Sequence, residues 1–370
     1  MDHLTRSSPE PGPRRIVVAM SGGVDSSVAA LLLREQGHDV IGVTLRLQKC
    51  HESGPTRSCC SADGIARARA VADRLAIRHY VVSCVREFDE RVLRPAWNEY
   101  AAGRTPSPCF LCNERIKFGF LRNWARDAGA SAVATGHYAR VQRGADGAVS
   151  LLRAPDAAKD QSYFLAGLTR DQLAAALFPV GGMSKSDVRA LARSAGLPCA
   201  DAGESQDACL VAPGMTFAET LRLRFGAAEA PGPIVDRDGT TLGRHAGIHL
   251  YTVGQRTGLG IATGRPHWVA AIRREDAAVV VTDDERDLER SRIMAGGMSW
   301  LDEPPEGRSL RCEVQVRHGS PAVRARTEIA PGNETLIVTD RPVRAPAPGQ
   351  AAVLYDGESV LGRGWIRQAA

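Results

Sequence analysis

A loop rich in glycine and serine near the N-terminus carries the first residues with an evident chemical use. The segment SGGVDSS, residues 21–27, follows the apolar run IVVAM and precedes a helical pattern. Paired glycines let the backbone approach a phosphate closely, and the start of the following helix attracts an anion. Ser21 and Ser26 can donate to phosphate oxygens, and Asp25 suits a magnesium ion that bridges them. The pattern predicts a nucleotide site, with a ligand-free glycine-rich turn as the alternative. It lacks the lysine of GxxxxGK(S/T), which disfavours a Walker-type NTPase.

Two cysteines three positions apart form a second candidate site. Cys109 and Cys112 lie in GRTPSPCFLCN, and a helical pattern begins at Asn113, which we expect to cap that helix. A helix N-terminus stabilises a thiolate, which makes the thiol a better nucleophile or metal ligand. A further cysteine, Cys209, ends the segment ESQDAC. The pair alone fits half a zinc site, a redox pair or two buried thiols, so it leaves the chemistry open.

Taken together, the motifs resemble the bacterial tRNA-specific 2-thiouridylases of the PP-loop ATP pyrophosphatase superfamily. The resemblance implies that the enzyme adenylates the C2 oxygen of the wobble uridine with ATP and then replaces that oxygen by sulfur. The products would be 2-thiouridine, AMP and pyrophosphate. The matching segments run in order along the chain: AMSGGVDSS (19–27), GRTPSPCFLCNERIKFG (103–119), ATGHYAR (134–140), KDQSYFL (159–165), SQDACL (205–210), YTVGQRTGLGI (251–261) and PGQAAVLYDGESVLGRGWI (348–366).

The same resemblance implies roles for individual residues. Cys112 would be the nucleophile and Cys209 would carry the sulfur as a persulfide, so these thiols should meet although 97 positions separate them. Magnesium would accompany ATP, and a cysteine desulfurase or a sulfur-carrier protein would supply the sulfur. ATP would be held by Ala19, Met20, Ser21, Gly22, Gly23, Val24, Asp25, Ser26, Leu45 and Gly136. The target base would lie against Ser107, Pro108 and Cys109, and other tRNA contacts would come from Lys159, Asp160, Gln161, Arg317 and His318.

Two positions depart from the pattern of many relatives. Cys109 stands where these have aspartate, so Cys109, Cys112 and Cys209 could ligate a 4Fe–4S cluster that delivers sulfide. The sequence leaves this mechanism and the persulfide relay open. The barrel motif, usually Arg-Tyr, is Arg317-His318 here, and a histidine can still stack on a base or contact a phosphate.

Several alternatives remain at this stage. A PP-loop ligase or amidotransferase acting on a small molecule would not need Cys112 or Cys209. A catalytically silent RNA-binding protein would keep the fold, although the intact Asp25 and both cysteines argue against it. His137 fits either a catalytic group or a packed histidine near the nucleotide. The group Cys50, His51, Cys59 and Cys60 could bind zinc, but its spacing fits unliganded loop thiols better.

The composition is that of a folded chain without a membrane segment. Of 370 residues 44% are hydrophobic and 24% charged, and no apolar run approaches the roughly 20 residues that span a bilayer. The net charge of +5 permits an RNA partner without demanding one. Nine cysteines, an odd number in a large chain, argue against a disulfide framework. The polar N-terminus is no secretory signal, so we expect a cytoplasmic protein with no membrane partner.

The elements that must position these residues follow from periodicity. Strand and helix patterns alternate in the first part of the chain, which predicts a doubly wound parallel α/β sheet. A Gly- and Pro-rich stretch follows, and then short alternating segments with an Asp-Gly turn predict an antiparallel β-barrel. We therefore expect a disordered tail (1–13), a PP-loop catalytic domain (14–210), a small central domain (211–289) and a tRNA-contacting barrel (290–370).

Overall fold

The computed structural model of the chain describes residues 12–48, 62–144, 146–200, 211, 214–226, 230–301, 309–330 and 332–370. Its helices are α1 (Val24–Glu35), α2 (Ala62–Leu75), α3 (Val85–Phe88), α4 (Arg94–Ala101), α5 (Pro108–Leu111), α6 (Leu121–Asp127), α7 (Ser162–Leu165), α8 (Arg170–Ala174), α9 (Lys185–Ser194) and α10 (Phe217–Phe225), with π-helical segments at Asp89–Leu93 and Cys112–Phe120. Across the described ranges, none of the helices combines the length and the apolar character that crossing a bilayer requires.

Within the described ranges, the strands form sheets of five, four and eight members. They are β1 (Arg15–Ala19), β2 (Asp39–Arg46), β3 (Arg78–Ser83), β4 (Ala132–Ala134), β5 (Arg140–Arg143), β6 (Val149–Leu152), β7 (Ala176–Leu177), β8 (Gly232–Val235), β9 (Thr241–His245), β10 (Trp268–Arg273), β11 (Ala278–Thr282), β12 (Glu289–Trp300), β13 (Ser309–Gln315), β14 (Val323–Ala330), β15 (Glu334–Arg344), β16 (Ala351–Asp356) and β17 (Ser359–Ala369).

The first sheet is parallel and covered on both faces. Its order is β3-β2-β1-β4-β7, so β1 lies where the order reverses. Ile16 and Val18 pack in a core with α1, α2 and α9, whereas Val17 points to the opposite core with α6. Such a sheet opens a crevice at the carboxyl ends of its strands, next to the reversal. This confirms the doubly wound α/β sheet predicted from the sequence.

The helix that carries Cys112 starts earlier than the sequence predicts. It begins with α5, whose N-cap is Ser107, and continues through the π-helical segment into α6. Asn113 is buried inside this helix, and its Nδ2 donates to the carbonyl of Phe164 at 3.1 Å. The predicted cap at Asn113 is therefore wrong. Pro108 supplies the fixed backbone angle of a first helical turn before that point, so the chain is already helical there.

The second sheet, of order β10-β11-β8-β9, has its own core, which includes Ile234, Val269 and Val279. Helix α10, which precedes this sheet, begins with a capping box between Thr216 and Glu219. Leu221 of this helix packs in a cluster with α4 of the first domain. The domain limits stated above stay predictions.

The third sheet closes into a barrel. Six strands follow the order β12-β15-β14-β13-β16-β17, and pairing of β12 with β17 closes the ring. The hairpin β5–β6 extends this sheet beyond β17 through the pair Ser359 and Leu152. Val353 and Tyr355 of the barrel also share a hydrophobic cluster with Val17 of the parallel sheet. The predicted antiparallel barrel is confirmed, and it is joined to the first domain by both backbone pairing and core packing.

Candidate active site

A cavity of about 400 Å³ opens at the carboxyl ends of β1, β2 and β4. This is the crevice expected beside the reversal of strand order in a doubly wound sheet. Most residues predicted for the site line it, although they come from distant parts of the chain. They are Ala19, Met20, Ser21, Gly23, Val24, Asp25, Ser26, Leu45, Cys109, Cys112, Gly136, Lys159 and Gln161.

The loop between β1 and α1 is organised by hydrogen bonds among its own members. Ser26 Oγ accepts from the backbone N–H of Ser21 at 3.2 Å and donates to the carbonyl of Gly23 at 3.1 Å. Gly22 adopts a φ of +76°, and a Cβ on this residue would overlap the carbonyl oxygen of Gly64. Gly23, the N-cap of α1, has no side chain to occupy the first N–H groups of the helix. These donors are therefore available to an anion.

Gly136 brings the loop after β4 against the start of α1. A Cβ on Gly136 would lie 2.5 Å from the nitrogen of Ser26 and 2.6 Å from the carbonyl carbon of Asp25. Side chains essentially never approach so closely, so glycine permits this packing. Gly136, which the resemblance implies as an ATP contact, thus packs directly on the phosphate loop.

Asp25 is held by two residues that the sequence analysis does not identify. Lys185 Nζ donates to both carboxylate oxygens at 2.6 and 2.7 Å, and Tyr138 Oη donates to Oδ1 at 2.7 Å. Ser184 caps α9 and so places Lys185 in its first turn. The Ser-x-x-Asp capping box at 184–187 signals a helix start in the sequence. Nothing local connects that helix to a loop 160 positions earlier.

A second pair lies farther along the cavity; the sequence analysis names its histidine, His137, but not its lysine, Lys117. Lys117 Nζ is 3.3 Å from His137 Nε2, and Thr135 Oγ1 is 2.7 Å from His137 Nδ1. Burial, with the nearby charge of Lys117, lowers the pKa of His137 well below its usual value. The imidazole is therefore neutral, with Nε2 accepting from the ammonium and Nδ1–H donating to Thr135. The neutral imidazole of His137 thus accepts a hydrogen bond from the charged ammonium of Lys117 in the cavity.

Cys109 and Cys112 both line the cavity and are half-buried. Behind them Cys84 is buried, and this burial, with the neighbouring Cys112, raises the pKa of Cys84 to about 12. Cys84 is thus a protonated core residue at neutral pH. Cys209 lies outside the described residues, so its convergence with Cys112 stays a prediction. The group Cys50, His51, Cys59 and Cys60 also lies outside them.

The three consecutive residues predicted to contact tRNA differ in orientation. Lys159 and Gln161 line the cavity. Asp160 turns inward and accepts from the N–H of Ala154 at 2.9 Å, from the N–H of Ser162 at 3.1 Å and from Ser162 Oγ at 2.8 Å. Its carboxylate therefore organises the start of α7. Ser107 and Pro108 lie beside the cavity on the approach to α5 but are not part of its lining.

His318 of the barrel contacts a residue that lines the cavity, whereas the neighbouring Arg317 donates to the carbonyl of Ala345 at 3.5 Å. The exposed ring of His318 packs against the ring of Phe164, which lines the cavity, with the centroids 4.3 Å apart and the planes tilted by 37°. Arg317 is half-buried, and this burial lowers the pKa of its guanidinium. The barrel thus contributes one rim of the site.

The fold and the site define a class of enzyme that binds a nucleotide at a PP-loop and places thiols opposite it. Three protein-family models match the chain in order. They are described as the tRNA methyl transferase HUP domain (residues 14–213), the tRNA methyl transferase PRC-barrel domain (223–283) and the aminomethyltransferase beta-barrel domain (290–366).

Similar proteins match over nearly their whole length. The tRNA-specific 2-thiouridylase MnmA of Chloroflexus aurantiacus is 46% identical, covering 95% of this chain and 98% of the relative. Its counterpart in Geobacter metallireducens is 44% identical over 97% and 98% of the two chains. That of Rhodospirillum rubrum is 46% identical over 98% of each. The chain belongs to the tRNA-specific 2-thiouridylase family, which confirms the resemblance seen in its motifs.

Proposed function

We propose that this enzyme converts the wobble uridine of tRNA to 2-thiouridine, with ATP as the activating substrate. The proposal rests on one observation: residues of the SGGVDSS loop and Cys112 line the same cavity. The loop suits the phosphates, and the thiol faces the space where an activated base would lie. A ligase or amidotransferase for a small molecule would have no use for that thiol.

The phosphates of ATP would bind to the loop amides, to the hydroxyls of Ser21 and Ser26, and to the start of α1. Magnesium, when bound, would neutralise charge on the phosphates. Asp25 is the acidic residue of the described cavity lining that would hold it. An ionised carboxylate has about four acceptor sites. Lys185 and Tyr138 occupy three of them, so one remains for a metal that keeps most of its ligands as water and phosphate.

Sulfur transfer would proceed through Cys209 and Cys112. The uridine O2 attacks the α-phosphorus, pyrophosphate leaves, and the N3 proton passes to water. The terminal sulfur of a persulfide on Cys209 then attacks C2, and AMP leaves with O2. Attack of the Cys112 thiolate on Cys209 Sγ releases 2-thiouridine and leaves a disulfide. A cellular thiol reductant then reduces that disulfide.

A cluster mechanism is the alternative for the sulfur step. A 4Fe–4S cluster held by Cys109, Cys112 and Cys209 would supply sulfide. Two of these thiols line one cavity, which is the arrangement that such a site needs, and the third lies outside the described residues. Within the described ranges, His, Cys, Asp and Glu residues form no group of three that could hold a metal.

The proposed tRNA path runs from the cavity across the barrel rim. The target base would lie against Ser107, Pro108 and Cys109. Lys159, Gln161, Arg317 and His318 would contact the rest of the tRNA, and Asp160, predicted as a further contact, would act through its support of α7. A cysteine desulfurase or a sulfur carrier would deliver the sulfur, and the cytoplasmic location stays a prediction.

The test is anaerobic thiolation of a tRNA transcript by metal-free protein with ATP, magnesium and a persulfide donor, followed on a mercury gel. Product without iron would support the Cys209 relay, and product that requires cluster reconstitution would support ligation by the three cysteines. Cys112→Ser should abolish 2-thiouridine while tRNA binding persists. Cys312→Ala, in the barrel core, is the matched control and should retain activity. Near wild-type thiolation by Cys112→Ser would contradict the role of Cys112.

A further inference from the structure

Lysine is rare in this chain and concentrated in the cavity. Four of the 47 basic residues are lysines. Three of these, Lys117, Lys159 and Lys185, line the cavity, and the fourth, Lys49, lies outside the described residues. An ammonium is a compact point charge, whereas a guanidinium is a wide planar fork. The basic residues that line this cavity are therefore lysines, whereas nearly all other basic residues of the chain are arginines.

The π-helical winding decides where Lys117 points. Five positions separate Lys117 from Cys112. In an α-helix at about 100° per residue they would lie about 140° apart. The segment Cys112–Phe120 is π-helical. With about 4.4 residues per turn, the same separation falls to about 50°. Both side chains consequently line the cavity. Such windings are uncommon and are frequent at functional sites.

The charge of Lys117 is left for a ligand. Lys185 forms an ion pair with Asp25, but the partner of Lys117 is the neutral ring of His137. In the described part of the chain, no carboxylate forms an ion pair with Lys117. His137 directly follows Gly136, which packs on the phosphate loop. Lys117 thus shares one cavity with the loop that would hold the phosphates and with the thiol that would face the base.

We propose that Lys117 is a further catalytic residue, which binds the non-bridging oxygens of the α-phosphoryl group and stabilises their charge during adenylation. This inference rests on the proposed function. In that step the uridine O2 forms a bond to the α-phosphorus. The bond from that phosphorus to the oxygen of the β-phosphate breaks, and its electron pair leaves with pyrophosphate. His137 is a positioning residue, since it orients the ammonium without neutralising it.

The experiment measures the tRNA-dependent burst of pyrophosphate in a single turnover, without a sulfur donor. Lys117→Met and Lys117→Arg should each slow the burst by about 10²–10³-fold, the usual loss for a donor to developing charge. The dissociation constants of ATP and tRNA should stay within about threefold of wild type, because the contact strengthens in the transition state. Arg115→Met, which removes a half-exposed cation on the same helix that does not line the cavity, is the matched control and should leave the burst unchanged.

His137 is tested by rescue. His137→Leu should lose as much burst rate as Lys117→Met. His137→Gln should retain more, since its amide oxygen can accept from the ammonium. A general packing defect would affect both variants and would also lower the melting temperature. If Lys117→Met does not fold, the burst rate of Lys117→Arg alone tests the role of Lys117.

Two results would overturn the inference. One is a burst at near wild-type rate in Lys117→Arg and Lys117→Met. The other is a loss of activity that parallels a loss of ATP affinity, which would make Lys117 a ground-state binding residue. Either result leaves the proposed function intact if the wild-type protein forms 2-thiouridine. Failure of wild type to form it would refute the proposed function itself.

Discussion

A single methyl group at Gly136 is predicted to damage the nucleotide site. In Gly136→Ala the new Cβ would lie 2.5 Å from the nitrogen of Ser26, 2.6 Å from the carbonyl carbon of Asp25 and 2.9 Å from the Cβ of Asp25. Comfortable contacts begin near about 3.5 Å, so the two segments must separate by roughly 1 Å. Because two of the three atoms belong to the backbone, a side-chain rotation cannot relieve the overlap.

The size of the effect follows from the cost of overpacking. Inserting a methyl group into a packed interior typically costs about 1–3 kcal/mol. If α1 stays in place, this cost appears in the free energy of unfolding. If the loop moves, it appears in ATP binding as a loss of about tenfold to about a hundredfold, since each 1.4 kcal/mol is a factor of ten. The loss of unfolding free energy and the loss of ATP-binding free energy should together amount to about 1–3 kcal/mol.

The assay combines calorimetric titration with ATP and urea unfolding of the same protein. Gly182→Ala is the matched control, because a Cβ at Gly182 meets no atom within 4 Å. This control should bind ATP and unfold like wild type. If Gly136→Ala matched the wild type in both measurements, the close packing of Gly136 on the phosphate loop would be refuted.

Three further predictions concern His137, the interdomain contact and the barrel rim. From about pH 7.5 to about pH 5.5, wild type should lose on the order of 1 kcal/mol more unfolding free energy than His137→Gln. The unfolded imidazole gains a proton near pH 6.5, whereas burial keeps the folded one neutral, so stability falls as pH falls. Equal pH slopes in urea unfolding would contradict this. Arg363→Met should cost about 2 kcal/mol in urea unfolding, because Glu114 loses its buried partner across the interface and the carbonyl of Gly297 loses a donor; a loss below about 0.5 kcal/mol would contradict a stabilising contact. His318→Ala should weaken tRNA about tenfold in filter binding, the scale of one lost stacking contact, and unchanged affinity would count against the proposed rim contact.

The parts of the fold that the sequence predicts are those with a local cause. The IVVAM run, the glycine pair and the apolar helix after them predict β1, the phosphate loop and α1 from adjacent residues. The Asp-Gly step at 356–357 likewise predicts the turn between β16 and β17, where Gly357 has a φ of +55°. Closure of the barrel depends instead on the pairing of β12 with β17, which no single turn specifies.

The missed residues have a non-local cause. Lys185 reaches Asp25 across 160 positions, and Tyr138 reaches it across 113. No periodicity relates such pairs, so they become visible when the sheet brings its strand ends together. The π-helical winding near Lys117 is also hidden, because an α-helical pattern places this lysine away from Cys112. The inward turn of Asp160 depends on backbone N–H groups whose orientation the sequence does not specify.

The continuity of sheet and core between the two ends of the chain bears on how the protein can be divided. Phe110, next to the thiols, shares one hydrophobic cluster with Val17 of the first sheet and with Val353 and Tyr355 of β16. A chain that stopped at residue 289 would leave that cluster open to water and remove the pairing of β6 with β17. The barrel is therefore not a detachable RNA-binding module. We expect the two regions to melt in one transition, and a premature stop codon late in the gene to remove catalysis together with RNA affinity.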